Sequence, residues 1–548
     1  MKRTALGLAL VLTIALFTKT AAQTRPSSVP PPNSPKLVLV LALDQMRYDY
    51  LPRYNDLYKG GLRRLIDRGA VFTNANYRHG ITETGPGHSV ILSGRHPSHS
   101  GIVANAWWDS LHRMVMNVVD DPVQRTLGGM GRAASPANFV GYTVGDVLKQ
   151  RNPDSHVVAA SFKDRSAVLL AGHRGDAAYW FENDGSFVTS TYYMARAPEW
   201  LIKWNTERVA DTYAGRKWTR LLSDEKIYEK YAGRDDQVGE VDRDLVFPHT
   251  LQGTPPSTEY YASLRNMPFA DEVLLAFAIE AMKQHHLGQH QSTDIFSVGF
   301  SATDTIGHRY GPDSQEILDQ LLRLDQVLNQ LFQYIDRSVG LANTVVIATA
   351  DHGATPLIEA LEAKGIEARR GKRADVEAAL GKAFAQKYPG VQRLVADLTL
   401  SSQFTLYLDE DVIQKNNLAL REVEETAAKA VMSTGLFEVA YTKSDLLERK
   451  PTNDPYIHFF WNSFFAPRSP NVTMMTKRNV SFAVTGTTHG TTYDYDRHVP
   501  IIFMGTGIKN GSYSEDCGPE DIAPTLAKIL GFDYPKELDS RLLLEMLN

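Results

Sequence analysis

Residues 37–43 read Leu-Val-Leu-Val-Leu-Ala-Leu and run straight into Asp44. Seven apolar residues without alternation describe a strand buried on both faces, the pattern of a parallel sheet covered by helices. A carboxylate at the end of such a strand is costly unless it is paired or holds a cation. The pattern recurs. His156–Ser161 is a second buried run and leads to Lys163 and Arg165. Asp294–Phe300 leads to Asp304 and His308, and Asn343–Thr349 leads to Asp351 and His352. Helical spacing fills the intervals, most clearly over Glu316–Ile335 with its Leu318, Leu321, Leu322, Leu328 and Leu331. Strands alternating with helices predict an α/β fold with a mainly parallel central sheet flanked by helices. Ligands of such sheets bind beyond the carboxyl ends of the strands. Asp44, Lys163, Asp304, Asp351 and His352 can therefore converge although they are far apart in sequence.

The chain has 548 residues, beyond the size at which one compact core stops growing. Ala177–Pro255 carries short strands, aromatics and charges without clear periodicity, and is expected to be an insertion that helps to cover the site. A second insertion is expected near 357–470, where Phe404–Leu408, Leu420–Met432 and Phe437–Tyr441 suggest a small α/β cap. The catalytic domain then spans 36–548. A net charge of −5 argues against a general nucleic-acid binder. Met1–Ala22 has the charge, apolar core and small-residue end of a secretory signal, which predicts a periplasmic or secreted protein. Gln23–Pro35 is a Pro/Ser-rich leader expected to be disordered. No later stretch is long and apolar enough to span a bilayer. Cys517 is the single cysteine, so the chain forms no internal disulfide.

The chemistry-bearing stretch is Thr82-Glu83-Thr84-Gly85-Pro86-Gly87-His88-Ser89. Its glycines suit a tight turn. The turn is expected to present the Thr84 hydroxyl at the mouth of a buried helix, where free N–H groups and the helix dipole favour an anion. Three aspartates (Asp44, Asp304, Asp351) and three histidines (His308, His352, His489) form a mixed carboxylate and imidazole set that suits Zn²⁺. Asp304 and His308, four residues apart, share a helical face. Six ligands can hold two ions about 4 Å apart, which would clamp a phosphoryl group and activate the Thr84 hydroxyl. Arg165 offers a planar fork and Lys163 a point charge for phosphate oxygens, and Asn105 an amide donor.

These segments resemble the alkaline phosphatase superfamily. The resemblance rests on Leu43-Asp44-Gln45-Met46-Arg47, Thr84-Gly85-Pro86-Gly87-His88, Asn105-Ala106-Trp107-Trp108-Asp109, Ser161-Phe162-Lys163-Asp164-Arg165, Asp304-Thr305-Ile306-Gly307-His308, Asp351-His352-Gly353 and Gly486-Thr487-Thr488-His489. More narrowly, they look like the periplasmic phosphate-irrepressible enzymes of the PafA type. The resemblance implies an alkaline-phosphatase-like fold and a phosphate monoesterase with two Zn²⁺ and a phosphothreonine intermediate. It makes Thr84 the nucleophile and a shared metal ligand. It gives Asp44, Asp351 and His352 to the ion beside Thr84, and Asp304, His308 and His489 to the leaving-group ion. It sets Asn105, Lys163 and Arg165 on the phosphoryl oxygens, with no third, magnesium site. Expected partners are small phosphate monoesters, with no nucleic-acid polymer.

The main rival is a phosphodiesterase or nucleotide pyrophosphatase on the same two-metal core, a class expected to lack the Lys-x-Arg pair. A sulfatase would need a convertible Cys or Ser where Thr84 stands. A non-catalytic binding protein would have no reason to retain Thr84 along with every ligand.

Overall fold

The computed structural model describes residues 34–240 and 245–548. The signal segment Met1–Ala22 and nearly all of the leader Gln23–Pro35 lie outside the described residues. The elements that build the site are β1 (Leu37–Leu43), α1 (Thr84–Ser93), β2 (Val157–Ser161), α2 (Asp164–Ala171), β3 (Asp294–Phe300), α3 (Ala302–Tyr310), α4 (Gln315–Ser338), β4 (Thr344–Thr349) and β5 (Ile501–Gly505).

A ten-stranded mixed sheet forms the centre, with β4, β1, β3 and β2 as parallel neighbours and Ala177–Phe181 as a fifth parallel strand beside β2. Every residue of β1 is buried. Leu37, Leu39, Leu41 and Leu43 join one hydrophobic cluster, while Val38, Val40 and Ala42 join another. The two clusters are the two faces of the sheet, which is why the run does not alternate in polarity. The long helix α4 covers one face through Ile317, Leu321, Leu324, Leu328 and Leu331.

Register explains the convergence at one end. Leu43 pairs with Phe300, Ala42 with Thr349, and Gly299 with Ser161, so four strands finish level with one another. β5 runs antiparallel to β4, with Ile501 opposite Thr349. The loop that precedes β5, which carries His489, therefore enters the sheet from the same end.

Two expectations are corrected. The block from Ala177 is not inserted at its start: Ala177–Phe181 and Phe187–Ser190 are strands of the main sheet. Their aromatics are buried on both sides, which erased the periodicity. Farther on, Trp218 Nε1 and Tyr228 OH both donate to Asp319 of α4, so this part packs on the helical layer. Ala106–Asp109 pairs with Met114–Asn117 in a hairpin, and Trp107 is buried beneath the Arg468 guanidinium. Gly85-Pro86-Gly87 is not a turn but the first turn of α1. Proline is tolerated there because that turn's N–H groups have no intrahelical partner.

The cap is a four-stranded antiparallel sheet ordered Val395–Leu400, Phe404–Leu408, Val472–Thr476, Phe437–Thr442. Helices Arg373–Lys387 and Leu420–Ser433 pack on it around a separate core that includes Val376, Leu406, Val423, Val431 and Phe437. Its last strand ends at Thr476, past the expected limit of 470. Cys517 is buried and unpaired, and burial pushes its thiol up to about 12.

Candidate active site

Thr84 is the first residue of α1 and is almost fully buried. Its Oγ1 lies 3.5 Å from Lys163 Nζ and 3.5 Å from Arg165 Nη2. Lys163 caps α2 and Arg165 is that helix's second residue, so the end of β2 delivers both cations to the end of α1. Close packing of α1 against the end of β4 depends on Gly87. A Cβ there would collide with the Asp351 carbonyl, so only glycine lets α1 rest against the loop after β4. Asn105 Oδ1 accepts a hydrogen bond from Gly85 N at 2.7 Å, which places the Asn105 amide beside Thr84.

The carboxylates and imidazoles meet at the same point. Asp304, His308 and His489 form one group whose ligand atoms lie within 4.8 Å of one another, and Asp44, Asp304 and His352 form a second. Asp351 stands next to the second group, with Oδ2 3.5 Å from His352 Nε2. The rings of His352 and His489 stack with centroids 3.6 Å apart. Thus Thr84, Asn105, Lys163, Arg165 and the six acidic and histidine residues all come together.

The histidines share one orientation. Nδ1 of His308, His352 and His489 faces a backbone carbonyl, of Thr487, Gly353 and Thr82, at 2.8, 2.9 and 2.7 Å. A ring whose Nδ1–H is committed to a carbonyl keeps its lone pair on Nε2, the arrangement found around metal ions. Those Nε2 atoms face Asp304 at 3.2 Å for His308 and 4.0 Å for His489, and Asp44 at 3.6 Å for His352. Asp44 Oδ1 and His352 Nε2 are buried without a hydrogen-bond partner, while Asp44 Oδ2 faces Lys163 Nζ at 2.6 Å and Asp351 Oδ2 faces His88 Nδ1 at 3.1 Å. Donor chemistry, orientation and unspent lone pairs all fit divalent cations with mixed N and O ligands.

The electrostatics are those of crowded buried charge. Burial and the neighbouring Asp304 and Asp351 push the Asp44 carboxyl well up. Asp304 is held well below the usual carboxylate range because Lys163 and His308 outweigh its burial. Lys163 is buried, yet Asp304 and Asp44, each 2.6 Å from Nζ, hold its ammonium above the ordinary value. Burial, then the adjacent His352 and His308, drives His489 well down toward the neutral ring that a ligand requires.

Further residues serve the site without having been singled out from the sequence. Gln45 has φ of 63° and follows Asp44 directly. From that left-handed turn its Nε2 donates to Asp304 Oδ1 at 2.8 Å and its backbone N to Asp351 Oδ1 at 3.1 Å. His88 places Nδ1 2.9 Å from the Thr84 carbonyl and 3.1 Å from Asp351 Oδ2, and Nε2 2.7 Å from Ser166 Oγ of α2. The i, i+4 spacing of Thr84 and His88 was the available signal. Asp496 accepts from Thr491 N and Oγ1, and its backbone accepts from Gly353 N, which pins the His489 loop to the end of β4.

The profile of the type I phosphodiesterase / nucleotide pyrophosphatase family matches residues 38–498. The chain belongs to that family. It is 31% identical to alkaline phosphatase PafA of Elizabethkingia meningoseptica over 91% of this chain and 92% of that protein. It is 33% identical to a protein of Myroides odoratus named a calcium-transporting ATPase, over 91% and 92% of the two chains. The crystal structure of wild-type PafA superposes with a TM-score of 0.86 at 28% identity, covering 94% of this chain and 99% of that one. A second PafA structure, substituted at a threonine, an asparagine, a lysine and an arginine, gives a TM-score of 0.87. Within the alkaline phosphatase superfamily the chain is of the PafA type, and it is a phosphatase. No helix among the described residues is long and apolar enough to cross a membrane.

Proposed function

We propose that this protein is an exported phosphate monoesterase that works on two Zn²⁺ and passes through a phosphothreonine at Thr84. The observation that carries the proposal is the environment of one oxygen. Thr84 Oγ1 stands 3.5 Å from each of two cationic side chains, Lys163 and Arg165, beside two adjoining groups of N and O ligands. A diester needs fewer cationic donors, because one of its oxygens is blocked by the second ester group. Residue types 84, 105, 163 and 165 are also the four types altered together in the substituted PafA structure.

Asp44, Asp351 and His352 would hold the ion beside Thr84, and Asp304, His308 and His489 the ion at the leaving group. When bound, such ions lower the pKa of a coordinated hydroxyl and neutralise charge on the leaving oxygen. The chain supplies the rest. Thr84 Oγ1 attacks phosphorus, the bond to the leaving-group oxygen breaks, and the phosphoryl group stays on Thr84. Water then displaces Thr84 and releases inorganic phosphate. Arg165 and Lys163 pair with non-bridging oxygens, and Asn105 donates from its amide. Threonine is β-branched and stiff at χ1, and its place in the first turn of α1 aims the oxygen at the two cations.

The test compares hydrolysis of an aryl phosphate monoester with its bis-aryl diester by the metal-loaded protein, alongside acid quenching to trap phosphate on Thr84. Preference for the monoester and a trapped phosphothreonine support the proposal. Preference for the diester would assign the chain to the diesterases named in the family's own description. Export is tested by fractionating cells that express the full chain and sequencing the mature N-terminus, expected after Ala22.

A further inference from the structure

Asn105 is held by hydrogen bonds that begin in the cap. The turn at 401–403 joins the cap strands Val395–Leu400 and Phe404–Leu408 and brings Ser402 down to the site. Its carbonyl lies so close to Gly490 that a Cβ there would collide with it, and Gly490 has φ of 111°, which also favours glycine. Gly490 is the neighbour of His489. Ser402 Oγ donates to Glu83 Oε1, and Glu83 Oε2 accepts from Asn105 N at 2.8 Å. Asn105 Oδ1 accepts from Gly85 N, which turns its NH₂ group away from the helix end.

Glu83 is the residue on which this depends. It is 1% exposed, and a buried carboxyl group has to be used. It sits at the N-cap of α1, yet its side chain makes no capping hydrogen bond to that helix. Both oxygens are instead taken by Ser402 on one side and Asn105 on the other.

We infer that Glu83 and Ser402 are positioning residues that tie the cap hairpin to Asn105 and so set the donor offered to a phosphoryl oxygen. The cap thereby tunes phosphate binding, in addition to shaping access for the ester group. This inference rests on Asn105 being a phosphate ligand, as proposed above.

A double-mutant cycle tests it. Glu83→Ala, Ser402→Ala, Asn105→Ala and the pairs with Asn105→Ala are assayed as metal-loaded proteins on an aryl phosphate monoester. Competitive inhibition by inorganic phosphate gives a readout independent of turnover. Misplacing a catalytic donor by about 1 Å costs up to about 100-fold. Glu83→Ala is expected to lose about 10- to 100-fold in kcat/KM and to weaken phosphate inhibition. In the Asn105→Ala background that loss should shrink to less than about twofold. Glu83→Gln, which keeps an acceptor for Asn105 N, should recover most of the activity. Should Glu83→Ala not fold, Ser402→Ala on the cap turn carries the same cycle. Fully additive losses would overturn this inference alone. An Asn105→Ala protein with unchanged kinetics and phosphate inhibition would overturn it together with the reading of Asn105.

Discussion

The Lys163 ammonium lies 2.6 Å from the Asp304 carboxylate, and so links the N-cap of α2 to the helix that carries His308. The same ammonium reaches Asp44 at 2.6 Å and Thr84 Oγ1 at 3.5 Å. One side chain therefore touches the proposed nucleophile and both acidic groups. Lys163→Ala should lower kcat/KM for monoesters by about 10²–10³-fold, the usual cost of one fixed transition-state donor. Loss on the diester should be markedly smaller, which parallel steady-state kinetics on the two esters would show. Equal losses would mean that Lys163 serves the metal ligands and not the phosphate.

Thr84→Ser keeps a hydroxyl at the start of α1, whereas Thr84→Ala removes it. The serine variant should retain measurable turnover and a trapped phosphoenzyme. The alanine variant should lose the phosphoenzyme and at least about 10²-fold in kcat. Acid-quenched labelling followed by peptide mapping distinguishes the two.

Removing the metals should destabilise as well as inactivate. Asp44, Asp304 and Asp351 are buried side by side, and Lys163 is the lysine that lies between Asp44 and Asp304. Chelation should abolish activity and lower Tm, and Zn²⁺ should restore both. At a hundredfold excess over Kd, one bound ion stabilises by about 2.7 kcal/mol. A Tm indifferent to chelation would contradict the metal assignment.

His88 connects Ser166 to Asp351 and should act on metal retention before it acts on chemistry. Loss of such a supporting contact commonly weakens metal binding by about 10- to 100-fold. His88→Ala is therefore expected to release metal at lower chelator concentration, measured by competition with a chromogenic chelator. Excess Zn²⁺ should recover most of the activity.

Asp271 supplies a pH test away from the metals. It is buried beneath the start of α3, accepting from Gln320 Nε2 at 2.7 Å and Ala302 N at 3.3 Å. Burial raises its carboxyl to about 7 against an ordinary 3.8. The folded state then holds a proton that the unfolded chain has lost. The stability this provides is present below about pH 4 and is lost as pH rises through about 7. The limit is on the order of 4 kcal/mol. Asp271→Asn, a mimic of the protonated side chain, should gain stability relative to the parent between pH 5 and 8. Denaturant unfolding across that range checks the sign, and a constant difference would refute it.

Much of the frame was legible because burial on both faces writes an unmistakable run. β1 and β3 begin and end within a residue of where composition put them, since a strand between two cores has no polar side to blur its limits. Asp304 and His308 were readable as a helical pair for the equally local reason of i, i+4 spacing. Ala177–Phe181 was illegible from the same cause acting the other way. A five-residue aromatic strand among other aromatics has no contrast to mark it.

Contacts made across the fold left no trace in local pattern. Glu83 and Ser402 are 319 positions apart, Gln45 and Asp351 306, and His489 and Thr82 407. By itself the sequence determined the parallel α/β frame and the residue types gathered at its strand ends, because local hydrophobicity and spacing encode strands, helices and their termini. Only the tertiary structure decided which oxygen faces which cation, how each imidazole is turned, and that a cap hairpin reaches Asn105. Those depend on level strand ends, on the antiparallel return of β5 and on glycines that let backbones meet. These are properties of register and close packing, which no stretch of sequence carries alone.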